Sequence, residues 1–495
     1  MQTKLDQSKQ DPPDGRPGII FDGDCSFCRT IVDRWRAATG ERIWYEPYQT
    51  AATRYPQISD RQFRRAVHFV DRGGRTSRGA EAVLRAASEC GRKQWLLWLY
   101  LHLSPMAMAF EFLYRLVAAN RKPLTFLRRV WYGKDLKLPT YYIASAVFLR
   151  LLGMIYLIAF ISLWTQITGL VGEHGILPVD KYLAAVDQHF AQEIPPQSPL
   201  WNVPTLAWLS PHDWFLNSLC ATGAVLSVML IVGLLPMLTA VLLWICYLSA
   251  FHVGQVFLGF QWDILLLETG FLAIFLTPAS WRSKFLADRH PPRLAIWLAW
   301  WLLFRLMLES GAVKLTWNTW ATGPDGAAIV ANTWKSLTAL EYHYSTQPLP
   351  GWTSWYMAQL PHWFQRASVL FLLMVELGLP WLMFGPRVLR AIACGGIILL
   401  MVLIGATGNY NFFNLLTIAL AIMLLDDKLW PQFLRRKIRG SDWPVLFSNT
   451  RWRSFALVPF VIFAMWVGGS QVIDAIDPAK EPKESLESEL GISQF

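Results

Sequence analysis

Two cysteines one helical turn apart form the most reactive pair this sequence offers. The run Asp22-Gly23-Asp24-Cys25-Ser26-Phe27-Cys28 follows Ile19-Ile20-Phe21, which reads as a short buried strand, and precedes the helical pattern Ile31, Val32, Trp35. A C-x-x-C set between a strand and a helix is a redox arrangement. Unpaired N–H groups and the dipole of the helix start stabilise a thiolate on Cys25, and the one-turn spacing lets Cys28 resolve a mixed disulfide. Arg29 favours that thiolate, while Asp22 and Asp24 oppose it. Two other readings stand beside this one. A zinc site needs four ligands, and the pair together with the scattered Cys90, His68 and His102 matches that poorly. The cysteines could also be inert core residues, because free cysteine is among the most buried residue types.

A second set of chemically capable residues lies in apolar surroundings. The stretch Phe257–Leu276 carries Asp263 at its mouth and Glu268 inside, and the next apolar stretch, Leu294–Leu308, carries Arg305. A carboxylate at membrane depth is costly unless it faces a bundle interior or a wet cavity. On antiparallel helices Glu268 and Arg305 each sit roughly 9 Å in from the same face, at 1.5 Å of rise per residue. They are expected to pair, either as a helix-locking ion pair or as part of a polar site.

The surrounding composition is that of a membrane protein. Hydrophobic residues make up 54% of the chain and charged residues only 16%, and 26 tryptophans suit bilayer interfaces. The net charge of +10 is explained by basic loops on the cytoplasmic side of a membrane rather than by nucleic-acid binding. Six cysteines in so long a chain do not make a disulfide framework. Met1 to Arg16 is polar, has no apolar core of the signal-peptide kind, and reads as a disordered tail.

The elements that would position Cys25 and Cys28 follow in the order βαβαββα: Ile19–Phe21, the helix after Cys28, Ile43–Tyr48, a helix around Arg61–Arg65, Ala66–Val70, a strand after the Gly73-Gly74 turn, and a helix from Gly79. This suits a small α/β sheet. Trp95 to Phe110 is too short for a span and is broken by Pro105, so it reads as two helices packed on the small domain or lying on the membrane surface. Arg121, Lys122, Arg128, Arg129, Lys134 and Lys137 then form a basic linker.

From Tyr141 onward the length criterion gives about nine spans, centred on the numbered segments 143–164, 217–234, 237–251, 263–278, 294–310, 367–384, 388–405, 410–425 and 454–473. Pro236 splits one long apolar run into a hairpin. With the N-terminus inside, the inner loops hold Arg282, Lys284, Arg289 and Arg293, then Arg387 and Arg390, then the basic run from Lys428 to Arg453, which satisfies the positive-inside rule. The long loops 165–216 and 311–366 fall outside. His174, Asp263, Lys314, His343 and Asn411 would line a wet outer vestibule. Tyr342 is read alternatively as an interface anchor, His343 as a hydrogen-bonded loop residue, and Asn409 or Asn411 as a helix cap.

Two resemblances sharpen these readings. Asp22-Gly-Asp-Cys-Ser-Phe-Cys28, the Arg78-Gly-Ala-Glu81 helix start and Tyr114-Arg-Leu-Val-Ala-Ala-Asn-Arg121 resemble the DCC family, over about residues 17–132. That resemblance implies a thioredoxin-like domain, a redox-active Cys25–Cys28 disulfide, and no other cofactor or metal. No proline precedes Ala80, where a thioredoxin would place its cis-proline. His174-Gly-Ile-Leu-Pro178, Phe260–Phe271, Tyr342-His-Tyr-Ser-Thr-Gln-Pro348 and Gly408–Thr417 resemble the lipase maturation factor family across most of 141–475. This implies an all-α polytopic membrane domain that supports maturation of exported client proteins such as lipases; the membrane region also resembles that of vitamin K-dependent carboxylases.

The expected organisation is a disordered tail (1–16), a thioredoxin-like α/β domain (17–132), a basic linker (133–140), a membrane domain (141–475) and an acidic tail (476–495). The expected setting is a bacterial inner membrane with the N-terminal domain cytoplasmic and the C-terminus outside. The expected partners are the bilayer, exported clients and a cytosolic thiol donor. The expected function is that of a membrane-bound thiol-disulfide oxidoreductase or folding factor. The alternative is a membrane enzyme acting on a lipid or quinone in the outer vestibule, with Glu268, Lys314 or His343 in acid–base roles.

Overall fold

The computed structural model of the chain describes residues 15–89, 94–121, 123–126, 139–192, 198–278, 280–282, 291–316, 319–322, 328–347, 350–435 and 451–476. Most of both expected tails, Cys90, nearly all of the basic linker and the loop after Arg435 lie outside them. The described residues fall into two compact units, one within 1–138 and the other within 139–476.

The first unit is built on a mixed sheet. Strands β1 (Gly18–Phe21), β2 (Trp44–Pro47), β3 (His68–Val70) and β4 (Thr76–Arg78) lie in the order β2-β1-β3-β4. β1 runs parallel to β2 and antiparallel to β3, and β3 pairs antiparallel with β4. The crossover from β1 to β2 is helix α1 (Ser26–Thr39); α2 (Asp60–Arg65) leads into β3, and α3 (Gly79–Ser88) closes the motif. The order of elements is the one read from the sequence. β1 is central, and the alternation of its side chains splits the core in two. Ile19 and Phe21 pack with Val32, Phe69 and Ala82, while Ile20 packs with Tyr48, Tyr55, Phe63 and Val70. Two apolar helices follow, α4 (Gln94–His102) and α5 (Ser104–Ala119), bent by 112° at the break before Pro105. The second runs nine residues past the expected end at Phe110.

The second unit is helical. Its long helices are α6 (Tyr142–Trp164), α7 (Val179–Gln192), α8 (Asp213–Val232), α9 (Pro236–Gly254), α10 (Gln261–Leu276) and α11 (Arg293–Thr316). A small hairpin of β5 (Thr319–Thr322) and β6 (Ala328–Ala331) and a short helix, α12 (Ala339–Thr346), come next. They are followed by α13 (His362–Leu373), which continues through a π-helical turn at Met374–Gly378 to Leu382, then α14 (Arg387–Thr407), α15 (Phe413–Ile422) and α16 (Arg451–Ile476). One continuous apolar core runs through the bundle, from Phe148 on α6 through Cys220, Leu243 and Leu303 to Leu420.

All nine expected span regions are helical, but among the described residues six helices are long and apolar enough to cross a membrane, or seven if the bent pair α4–α5 counts as one. α10 has 16 residues and α15 has 10. At 1.5 Å per residue they reach about 24 and 15 Å, short of a hydrocarbon core of about 30 Å. The described apolar part of α16, Leu457–Val472, is also short. The hairpin at Pro236 forms as expected. α8 ends at Gly233 with φ 81°, Leu235 takes the left-handed φ of 45°, and Pro236 opens α9 as its first residue.

Candidate functional site

Cys25 is the residue immediately before α1, and its Sγ accepts the amide N–H of Cys28 at 3.3 Å. The acceptor role suits a thiolate at a helix start. Both cysteines are free and half-buried. Burial, the hydrogen bond to Cys25 and the proximity of that sulfur push the Cys28 thiol up to about 12, although Arg121 pulls it down. Cys28 therefore holds its proton at neutral pH. The two aspartates ahead of the motif are occupied by Gln49, a residue the sequence reading passed over. Its amide donates to Asp22 Oδ1 at 3.2 Å and Asp24 Oδ2 at 3.0 Å, and its oxygen accepts the Gly23 N–H at 3.1 Å.

The walls around Cys28 come from the rest of the unit. A largely apolar cavity of about 320 Å³ lies between α1, α3 and α5, bordered by Phe27, Cys28, Trp35, Val83, Phe110 and Tyr114. Arg121 also lines it, and this side chain is fixed by donating to the carbonyls of Arg64 and Arg65 at 2.9 and 2.6 Å. Tyr114 accepts the Val67 N–H at 2.9 Å. At Ala80 the position without a preceding proline is Gly79, with φ 67°, and the Ala80 N–H is taken by Glu111 at 3.2 Å. The left-handed φ favours glycine here, and a Cβ on Gly79 would also press on the Glu111 carboxylate at 3.1 Å. No group of three or more histidine, cysteine or acidic side chains is placed to hold a metal among the described residues.

In the helical unit the expected pair forms. Arg305 is ion-paired with Glu268, and it also donates to Gln471 at 2.8 Å and lies 3.7 Å from Glu309 on its own helix. Two turns and a half beyond Arg305 on α11, Lys314 meets Glu376, with both carboxylate oxygens at 2.8 Å and Ser310 Oγ at 2.9 Å. Trp334 presents its ring 5.3 Å from that ammonium. Glu376 was missed in the sequence. It sits in the π-helical turn four residues before Pro380, which has no N–H to offer the Glu376 carbonyl in α-helical register. A carboxylate beside a proline inside an apolar run was the available signal.

The vestibule residues divide among separate local networks. His343 is hydrogen-bonded to Tyr410 at 2.7 Å with the two rings stacked, and burial together with the Lys314 charge lowers its pKa. Asp263 is buried and accepts the Tyr247 hydroxyl at 2.6 Å. His174 is exposed, next to a Glu173 that pairs with His212 at 2.8 Å. Tyr342 is 59% exposed. Asn409 accepts the backbone N–H of Asn411, whose φ is 51°, which makes a turn ahead of α15 rather than a cap, because Phe412 occupies the cap position. Lys314 and His343 share a neighbourhood. Among the described residues no hydrogen bond or ion pair joins them to Asp263 or His174.

Comparison with known proteins matches both units. The lipase maturation factor transmembrane domain matches residues 143–432, and a DCC1-like thiol-disulfide oxidoreductase domain matches 19–127. Lipase maturation factor 2 of Xenopus laevis is 43% identical over 66% of this chain and 45% of its own length. The Homo sapiens lipase maturation factor 2 is 42% identical over 60% of this chain and 42% of its own. Lipase maturation factor 1 of Bos taurus is 32% identical over 60% of this chain and 52% of its own. The chain thus spans about half the length of the curated relatives it matches. No solved structure matches it.

Proposed function

Because this chain belongs to the lipase maturation factor family and carries a DCC1-like thiol-disulfide oxidoreductase domain ahead of the membrane helices, we propose that it is a membrane-bound thiol-disulfide exchange factor supporting maturation of exported proteins such as lipases. The observation that carries this reading is the position of Cys25 at the start of α1, its sulfur accepting the Cys28 N–H. Cys25 attacks, a mixed disulfide forms with the partner, and the Cys28 sulfur displaces it, leaving a Cys25–Cys28 disulfide that a cytosolic thiol donor reduces. The N-terminal unit is thioredoxin-like, supported by its mixed β2-β1-β3-β4 sheet.

The Lys/Arg distribution supports nine crossings with the N-terminus cytoplasmic and the C-terminus outside. Reporter fusions test this: Phe495 and Arg436 on the same side would overturn it. The redox assignment predicts that alkylation at neutral pH labels Cys25 first. In Cys25→Ser, labelling of Cys28 should stay slow at neutral pH, because burial, the largest cause of its raised pKa, remains after the Cys25 sulfur is gone. Fast labelling of Cys28 at pH 7 would reverse the roles. Trapping with Cys28→Ala should capture the client as a mixed disulfide. Full maturation activity in Cys25→Ser would move the function to the membrane unit.

A further inference from the structure

We propose that the cavity beside Cys28 binds a quinone, and that the Cys25–Cys28 dithiol delivers two electrons to it. This rests on the redox reading above and adds an electron acceptor.

The cavity volume of about 320 Å³ lies at the small end of ligand sites, which are mostly apolar with a few placed polar groups. Phe27 and Trp35 of α1, Val83 of α3 and Phe110 and Val117 of α5 contribute ring faces and branched chains. Such walls favour a flat apolar ring and disfavour a charged peptide thiol such as glutathione, which would lose its hydration there. The polar groups are gathered together: Cys28 lies within electrostatic reach of Tyr114, Arg121 and Asp22, and Tyr114 within reach of Arg121. Tyr114 accepts the Val67 N–H, which leaves its own proton free to donate, and burial keeps it protonated. A phenol and a guanidinium beside a thiol suit the oxygen of a quinone that is gaining electrons. A saturated acyl chain could fill the same volume, but it would leave the neighbouring dithiol without a role.

Cys28 borders the cavity and Cys25 does not. The two sulfurs therefore meet different partners, a protein thiol or disulfide at Cys25 and the ring at Cys28. The reaction balances as follows. The Cys25 thiolate takes the Cys28 proton along their existing contact, and the Cys28 sulfur adds to a ring carbon while Tyr114 protonates the carbonyl oxygen. The Cys25 sulfur then gives up its proton and attacks Cys28, forming the S–S bond and breaking the C–S bond. The released pair stays on the ring, which takes a second proton, and Tyr114 is reprotonated. The pair, which begins as one thiolate and one thiol, loses two electrons and one proton, water supplies the second proton, and the quinone leaves as hydroquinone.

The test uses the full chain in detergent, reduced and freed of reductant without oxygen. The probe is a dimethyl-naphthoquinone whose quinone ring has no free C–H, so that stable arylation is blocked. Loss of quinone absorbance is followed beside the count of alkylatable thiols. The expected result is one quinone consumed per dithiol, with saturation. Val83→Trp and Ala118→Phe, which fill the cavity from opposite helices, should each raise the half-saturating concentration about tenfold or more. Exchange of Cys25 with a small aromatic disulfide reports that each variant is folded. Unchanged saturation in both variants overturns the site. Absence of quinone reduction while Cys25 still exchanges overturns the acceptor and leaves the redox reading standing. Failure of both reactions in the native chain overturns the two together.

Discussion

Two arginines in the helical unit, Arg390 and Arg305, show how differently a membrane bundle uses the same side chain. Arg390 is almost fully buried and satisfied on every side. It donates to Asp426 at 3.2 Å and to the carbonyls of Leu424 and Gly385 at 3.3 and 3.1 Å, and it lies 5.2 Å over the ring of Trp300. Asp426, wholly buried, also accepts Arg387 at 2.5 Å and the Lys428 N–H at 3.0 Å. Nothing in that cluster is left to bind anything else. Arg305 faces two carboxylates, Glu268 and Glu309, and an amide, Gln471. One oxygen of Glu309 is buried without a hydrogen-bond partner. The first arrangement fastens helices together. The second leaves Arg305 Nε as well as that Glu309 oxygen buried without a hydrogen-bond partner, which is how a site differs from a joint.

The comparison can be broken most directly at Asp426. Asp426→Ala leaves two guanidinium groups without their carboxylate and should cost about 3–5 kcal/mol, read as loss of the monodisperse folded species in detergent. Little loss would mean that the carbonyls and Trp300 suffice, and the joint would not be a joint. At the other arginine the single changes Glu268→Gln and Arg305→Met should each cost about 3 kcal/mol, at the lower end of the same range because Glu268 is one-third exposed. The double variant should recover much of the folded yield, as a coupled pair requires. Additive losses would show that the two do not act as a pair. If function also returns in the double variant, the pair is structural; abundant but inactive protein would assign Glu268 a chemical role. The smallest effect is expected at Glu309. Glu309→Gln replaces the carboxyl whose oxygen has no hydrogen-bond partner and should change stability by about 1 kcal/mol or less, as measured by thermal unfolding in detergent. A large loss would place Glu309, rather than Glu268, as the main partner of Arg305.

The Glu268–Arg305 pair was legible because helix rise converts sequence position into depth, and consecutive antiparallel helices leave few choices of partner. The C-x-x-C and the Pro236 hairpin were legible for a similar reason, since each is a local signal with a local consequence. Asp426 and Arg390 were not. Arg387 and Arg390 were read only as inner-loop charges, a count that ignores which side chains turn inward. Lys314 was found without Glu376, because the two lie 62 residues apart and no periodicity links α11 to the π turn. The vestibule residues make separate local contacts for a related reason. Sequence places polar residues at one level of a bundle, and only packing decides which of them touch. Gln49 was invisible because an exposed glutamine after a strand carries no pattern until the loop it holds is seen. Among the described residues six of the nine expected span regions meet the length and hydropathy of a crossing, because apolar runs include turns and ends that the helices themselves do not.

Asp427 accepts the backbone N–H groups of Tyr142 and Ile143 at 3.1 and 2.9 Å, closing the start of α6 from a position 285 residues later in the chain. During synthesis at about 5–20 residues per second, roughly 15–60 s pass between the emergence of that helix start and the arrival of its cap. The first long helix of the bundle is made among the earliest parts of the unit and finished among the latest. Whatever receives the nascent chain must hold that end open in the meantime, and a chain cut before Asp427 would leave α6 without the cap that completes it.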